Sequence, residues 1–313
     1  MRIASSAPDL LAATAELRAA GRGVSFVPTM GSLHEGHLSL VRQAGATGNA
    51  TVASVFVNPR QFGAGEDFDS YPRDGGRDAD LLRNEGCDLL FLPSEEDVYP
   101  AGFASSVSAD RSLADCLCGR SRGSGHFDGV VTVLARLFGL VDADAAWFGE
   151  KDWQQLLVVR RLAADLFPRL RIESGPTVRD SDGLALSSRN ARLSAGERVA
   201  AGAIPRAIGG LRAWARSADP GSRLEGPLDS AVGLLRSAGL DPEYVEVRDG
   251  ISLQVIEEHD PRVDARVFIA ARAGGTRLID NASLATTGGG EGEGAATGQS
   301  GPGTAAGLAG AAN

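Results

Sequence analysis

The sequence predicts an α/β protein: a mostly parallel, doubly wound sheet followed by a second, smaller α/β domain. Three observations point there. Apolar runs of strand length recur through the first half of the chain, and stretches with helical apolar spacing separate them. Strands that are apolar along their whole length are buried on both faces, which is the habit of parallel sheets covered by helices. Past residue 178 the rhythm stops, and two strand-like runs flank Gly274 and Gly275, a glycine pair that signals a hairpin.

The elements follow in order. The opening MRIASSAPDLLAATAELRAAGRG carries polar and acidic residues throughout, so it reads as an amphipathic first helix and not as a signal peptide. VSFV (24–27) reads as a strand ending at Pro28, and 36–47 as a helix. TVASVFV (51–57) is a second strand, 74–86 a helix and CDLLFLP (87–93) a third strand. An apolar helix over 129–141 leads to the short strand AAWFG (145–149), a helix over 152–167 and a closing strand over 171–178. Residues 1–178 therefore read as a Rossmann-like domain. Residues 179–284 read as the smaller domain, with helices over 194–217 and 227–238, a strand over 244–249 and the hairpin 265–273/276–284. The Gly/Ala-rich stretch 285–313 has too little apolar surface to offset its ordering entropy and is expected to be a disordered tail.

The chain of 313 residues is 43% hydrophobic and 23% charged, the composition of a globular protein with a substantial core. No apolar run reaches the roughly 18 residues of a membrane span, so a cytoplasmic location and no membrane partner are expected. A net charge of −9 disfavours broad nucleic-acid binding. Cys87, Cys116 and Cys118 are too few and too unevenly placed for a disulfide framework or a four-ligand zinc site. The 31 basic residues comprise 30 arginines and one lysine, Lys151. An ammonium and a guanidinium are not interchangeable, so a lone lysine in an arginine-rich chain suggests a position that needs lysine.

The polar clusters fall just after strands, where open α/β sheets bind ligands. FVPTMGSLHEGHLSLVRQA (26–44) takes a strand into a helix through two histidines, His34 and His37. A helix start offers free N–H groups and a positive dipole end, and so an anion site. Gly31 and Gly36 would let backbone approach a phosphate. The alternative is that the histidines only cap the helix. H-E-G-H lacks the spacing of the zinc-protease motif. FVNPRQFGAGED (56–67) places Asn58 and Gln61 at the next strand mouth, and FGEKDWQQ (148–155) combines a glycine, Lys151 and a helix start at Asp152. Gln154 and Gln155 are adjacent, so at most one can face a pocket squarely. RDSDGLALSSRN (179–190) is a Ser/Asp/Gly-rich loop at the inferred domain junction, able to grip phosphates and to close.

These residues carry a family resemblance. PTMGSLHEGHLSLV resembles the HxGH signature of the nucleotidyltransferase-like superfamily, and its PTMG-x-LHxGH form is similar to the pantoate–β-alanine ligase (pantothenate synthetase) family. Five further segments match that family in order: 54–74, 125–138, 147–162, 176–194 and GGTRLIDN (274–281).

The resemblance implies ATP-dependent joining of (R)-pantoate and β-alanine into pantothenate through a pantoyl adenylate, with Mg²⁺ carried on the ATP phosphates, and a homodimer. It implies an ATP site from Met30, Gly31, Ser32, Leu33, His34, Glu35, Gly36 and His37, from Gly149, Glu150, Lys151 and Asp152, and from Val178, Leu186, Ser187, Ser188 and Arg189. His34, His37, Lys151 and Arg189 would stabilise the transition state. Gln61, Gln155 and Asn58 would hold pantoate and β-alanine. Three positions depart from the family pattern: Leu186 for a methionine, Ser124 for a proline, and Cys118 near an acidic residue. Two other readings share the signature. One is a nucleotidyltransferase acting on a phosphorylated acceptor, which would want further basic residues. The other is a non-catalytic nucleotide binder, which would have lost the charged positions retained here.

Overall fold

The computed structural model describes residues 1–63, 65–123 and 125–284. Ser124 and the expected tail over 285–313 lie outside the described residues. Six strands form the first sheet: β1 (Arg2–Ala4), β2 (Val24–Thr29), β3 (Ala50–Val55), β4 (Leu89–Phe91), β5 (Ala145–Gly149) and β6 (Arg171–Gly175). Their order is β1-β4-β3-β2-β5-β6, and every pair is parallel. The chain winds outward from β2 through β3 to β4, then crosses to β5 on the other side of β2. The order thus reverses between β2 and β5, and a crevice opens at the carboxyl ends of those strands.

Two sequence expectations change here. The first helix begins only at Ala7, capped by Ser6, whose hydroxyl accepts from the Asp9 N–H at 3.3 Å. The residues before it, Arg2–Ala4, form the edge strand β1 in parallel with Leu89–Phe91. Strand β2 also runs through Pro28 to Thr29. Its register with β5 covers Ser25 and Phe26, so the missing proline N–H falls beyond that ladder.

The crossover from β4 to β5 contains short helical turns at Glu95–Val98, Arg111–Ala114 and Leu117–Arg122, and then the helix Gly125–Val141. That helix buries residues on nearly every face, Phe127, Val131, Leu134 and Phe138 among them. One side packs under the sheet with Phe26 and Phe148, while Gly129 abuts the turn Pro59–Gln61.

The second sheet is antiparallel, β7 (Asp241–Asp249), β8 (Ala265–Ala273) and β9 (Thr276–Ser283), in that order. The helices Ala203–Ser217 and Glu225–Ser237 cover it through Ile204, Leu211 and Leu235 against Val267 and Ile269. The helix expected over 194–217 is two, Ala195–Ala201 and Ala203–Ser217, with the break at Gly202. An apolar seam of Leu117 and Leu157 with Tyr244, Leu253 and Phe268 joins the two sheets' territories. Among the described residues no helix is long and apolar enough to cross a membrane.

Candidate active site

A cavity of about 450 Å³ opens at the switch point between β2 and β5 and extends to the second sheet. Most residues expected at a site meet there. Met30, His34, Gly36 and His37 line it from the end of β2, with Asn58 and Gln61 from the end of β3. Gly149, Lys151, Asp152 and Gln155 line it from the end of β5, and Val178, Leu186, Ser187, Ser188 and Arg189 from the following loop.

The two histidines cap their helix and face the cavity at the same time. His34 is the N-cap residue of Glu35–Gly45, and its Nδ1 accepts from the Gly36 N–H at 3.2 Å. The His34 N–H donates to Nδ1 of His37 at 3.4 Å. The rings lie 4.1 Å apart, centroid to centroid. A nitrogen that accepts carries no proton, so the hydrogen of each neutral ring is on Nε2. Burial and the Lys151 charge hold His34 at a pKa of about 4. Burial and the His34 and Lys151 charges hold His37 at about 3. At neutral pH both imidazoles are uncharged Nε2–H donors. They add directed hydrogen bonds, while formal positive charge near them comes from Lys151.

Five residues expected at the nucleotide do not line the cavity: Gly31, Ser32, Leu33, Glu35 and Glu150. The N–H groups of Ser32 and Leu33 donate to the buried carboxylate of Asp78, at 2.8 and 2.9 Å. Gly31 makes this turn at φ +82°, where a Cβ would lie 2.9 Å from that carboxylate. The turn itself therefore requires glycine at this position. Leu33 is buried in the core, and Glu35 pairs with Arg42 on the surface. Glu150 accepts from the Ser174 hydroxyl at 3.2 Å.

Asn58 is 1% exposed. Its Nδ2 donates to Oε1 of Gln61 at 3.0 Å and to the Gly129 carbonyl at 3.1 Å. Its Oδ1 accepts from the Tyr99 hydroxyl at 2.8 Å and from the Arg60 N–H at 3.2 Å. Two donors and two acceptors exhaust a carboxamide, so Asn58 stands behind Gln61 and fixes it, with nothing left for a ligand. Gln61 also donates to the Met30 sulfur at 3.0 Å. His126 grips the same turn: Nδ1 lies 2.8 Å from the Gln61 carbonyl, and Nε2 lies 2.8 Å from an Arg122 nitrogen. An arginine only donates, so the proton of His126 is on Nδ1. Burial and Arg122 push its pKa down to about 4.

The adjacent glutamines divide as helix geometry requires. Gln154, 5% exposed, donates to the carbonyls of Leu113 and Cys116 and accepts from the Cys118 N–H. Gln155 faces the cavity from the helix Trp153–Leu166. Asp152 makes no cap bond to that helix, and its carboxylate lies 3.7 Å from Nζ of Lys151. The Asp152 carboxylate is therefore not engaged by the helix it precedes. Cys118 packs its sulfur against the Tyr244 hydroxyl at 3.1 Å and the Arg277 guanidinium at 3.5 Å, also on the cavity wall.

Asp67, which no sequence signal singled out, holds the loop after Val178. Its carboxylate takes a forked pair of bonds from Arg189, at 3.1 and 3.2 Å, and one from Arg192 at 2.6 Å. Beside it the Tyr71 hydroxyl lies 3.2 Å from that of Ser188. The preceding residue, Glu66, is paired with Arg122. The Asp67 carboxyl is held below the usual range: burial works against this, but Arg189 and Arg192 outweigh it. Among the described residues, no group of three His, Cys, Asp or Glu side chains comes together to hold a metal ion.

Comparison with known proteins decides the family. The profile described as pantoate-beta-alanine ligase matches residues 2–283. The chain belongs to the pantoate–β-alanine ligase family. It is 46% identical over 284 residues to the pantothenate synthetase of Stutzerimonas stutzeri, covering 90% of this chain and 97% of that one. It is 47% identical to that of Rhizorhabdus wittichii, covering 91% and 99%. Among solved structures, the pantothenate synthetase of Thermus thermophilus superposes with a TM-score of 0.83 at 44% identity, covering 91% of this chain and all of that one. The pantoate-β-alanine ligase of Francisella tularensis, complexed with beta-gamma ATP and β-alanine, gives 0.74 at 32% identity, covering 91% and 98%. The expected α/β ligase fold thus holds over the matched length. The histidines of the H-E-G-H stretch are the helix-capping pair at the switch point.

Proposed function

We propose that the protein condenses (R)-pantoate with β-alanine at the expense of ATP, in pantothenate (coenzyme A) biosynthesis. The observation that carries this reading is the convergence of His34, His37, Lys151, Gln61 and Gln155 on one cavity in a chain of this family.

Two substitutions make up the reaction. A pantoate carboxylate oxygen attacks the α-phosphorus of ATP, the bond to the bridging oxygen breaks, and pyrophosphate leaves. The amine of β-alanine, as the free base, then attacks the carbonyl of pantoyl adenylate. The C–O bond to the phosphate breaks, AMP leaves, and the nitrogen gives up its extra proton to solvent as the amide forms. No side chain needs to act as a nucleophile. The protein orients two anions that repel each other and stabilises charge on the phosphate oxygens. Lys151 supplies the charge, and the Nε2–H groups of His34 and His37 supply directed hydrogen bonds.

Gln61, locked by Asn58 and Met30, and Gln155 present carboxamides to pantoate. An amide both donates and accepts, which suits a hydroxy acid. Mg²⁺ bound to the ATP phosphates would shield their charge, and Asp152, beside Lys151 and without a cap bond, would offer it or its waters an oxygen. Arg189 reaches the phosphates by leaving Asp67 or sharing it, and the 179–192 loop then shields the anhydride from water. Residues 1–178 act as the ATP and pantoate domain and 179–284 as the lid. A cytoplasmic homodimer is part of this reading.

The test is isotope exchange between pyrophosphate and ATP without β-alanine. Exchange that depends on pantoate supports the acyl adenylate and its acid together. Pyrophosphate released only after β-alanine is added, with no exchange beforehand, would refute the two-step order.

A further inference from the structure

Strand β9 carries Asp280 and Asn281, the last residues of the GGTRLIDN segment, and neither lies among the residues assigned above. Asn281 is 4% exposed. Its Nδ2 donates to two backbone carbonyls across the cavity edge, those of Glu150 at 3.0 Å and Lys151 at 2.8 Å. Its Oδ1 accepts from the guanidinium of Arg266. Arg266 is itself buried on β8, with its guanidinium carbon 3.5 Å from the centroid of the Trp153 ring. The Trp153 indole N–H donates to the Gly250 carbonyl at 2.7 Å.

The turn Glu150–Asp152 that carries the only lysine is short, and neither it nor the helix after it has a side-chain cap bond. Its side-chain anchor arrives instead from 130 residues away. The arrangement is costly. Arg266 Nε is buried with no partner among the described residues, and burying an unpaired donor is unfavourable. An aliphatic residue on Trp153 would avoid that cost. What a cation supplies, and an aliphatic residue does not, is the orientation of the amide. A cation can only donate, so it selects the oxygen of Asn281 and turns the NH₂ toward the two carbonyls.

We propose that Asn281, oriented by Arg266, is the positioning residue for Lys151: it fixes the backbone from which the ammonium reaches the α-phosphate. This rests on the reading of Lys151 as the charge that stabilises adenylation. Asp280 makes the companion contact, a forked pair to Arg179 at 2.6 and 3.0 Å, at the start of the loop that leads to Arg189. One strand end of the smaller sheet thus ties down both phosphate-facing segments of the larger one.

The substitution Asn281→Asp separates orientation from packing. It keeps an acceptor for Arg266 but turns an oxygen toward the two carbonyls, which pushes the turn away. Because Lys151 is the sole lysine, trinitrobenzenesulfonate reports on it directly once the α-amine background, measured in Lys151→Arg, is subtracted. Single-turnover pantoyl-adenylate formation should slow about 10²-fold, the scale of a 1 Å misplacement. Pantoate affinity should hold, while the labelling rate of Lys151 and its protection by ATP should both change. Asn281→Ala, which adds no charge, guards against a misfolded Asp variant and should act in the same direction. Wild-type adenylation in a folded variant, or slow adenylation with wild-type labelling and protection, would overturn the proposal. If Lys151→Ala adenylates normally while Asn281→Asp alters the labelling, the catalytic reading of Lys151 falls and the positioning contact stands.

Discussion

Each imidazole of the HxGH pair does two jobs with two nitrogens. Nδ1 satisfies an N–H at the helix start, and that bond forces the proton onto Nε2, toward the cavity. The capping and phosphate-facing readings therefore describe opposite edges of the same ring. Both histidines stay neutral down to about pH 4, so Lys151 carries the positive charge beside them. Lys151→Ala should cut single-turnover adenylate formation by about 10²–10³, the range for removing one charge-stabilising donor. Its unfolding midpoint should barely move, since the side chain contributes little to a core. Adenylation at the wild-type rate would remove Lys151 from the mechanism. The residue types at the site were legible because few residues suit an anion: two histidines, one lysine and paired glutamines after strands. Sequence cannot show that four partners already fill the amide of Asn58. Asp67 was invisible for a related reason, since its partner Arg189 is 122 residues away.

The element that sets the Gln61 end of the cavity is the turn Pro59–Gln61, wedged against the helix Gly125–Val141. A Cβ at Gly129 would lie 2.1 Å from the Arg60 carbonyl oxygen and 2.7 Å from the Cα of Gln61. Neither backbone can yield without moving the other, and the Asn58–Gly129 bond spans the same contact. Gly129→Ala should therefore lift Gln61 out of place, weakening pantoate binding in calorimetry more than ATP binding. It should cost roughly 1–3 kcal/mol of stability in urea titration, the usual penalty of overpacking. Equal losses for both ligands would show that the wedge acts on the whole cavity. Strands β2, β3 and β5 were readable as short apolar runs because both their faces are buried. The sequence reading started the Gly125–Val141 helix at residue 129, because its first turn, Gly125–Asp128, carries polar residues. The three-residue β1 has no periodicity to read, and the break at Gly202 leaves the apolar spacing on either side of it undisturbed.

At the scale of the molecule, acid should act through the three cavity histidines. Their folded pKa values lie below the ordinary 6.5: His34 and His126 at about 4 and His37 at about 3. Above pH 6.5 they are neutral whether the chain is folded or not, and they cost nothing. Between 6.5 and about 4 the unfolded chain takes up protons that the folded one refuses, so stability falls. The limiting slope is about 1.4 kcal/mol per pH unit for each such proton. The groups facing them do not reverse the sign: burial lowers all three, Lys151 adds to it at His34 and His37 and Arg122 at His126, and the opposing Asp152, Gln61 carbonyl and Glu66 leave the net shift downward. Urea midpoints should drop steadily from pH 7 to 5. A flat profile would mean that the rings protonate within the fold.

The short strand at the start of the chain has a practical consequence. Arg2–Ala4 seals the open side of Leu89–Phe91, three buried apolar residues. Removing residues 1–5 leaves the cavity lining intact but bares a hydrophobic strand edge, the template on which chains stack into aggregates. The shortened enzyme should turn over normally when fresh and dilute, yet gain mass in light scattering as concentration rises. Shelf life, not catalytic power, would be what those few residues protect.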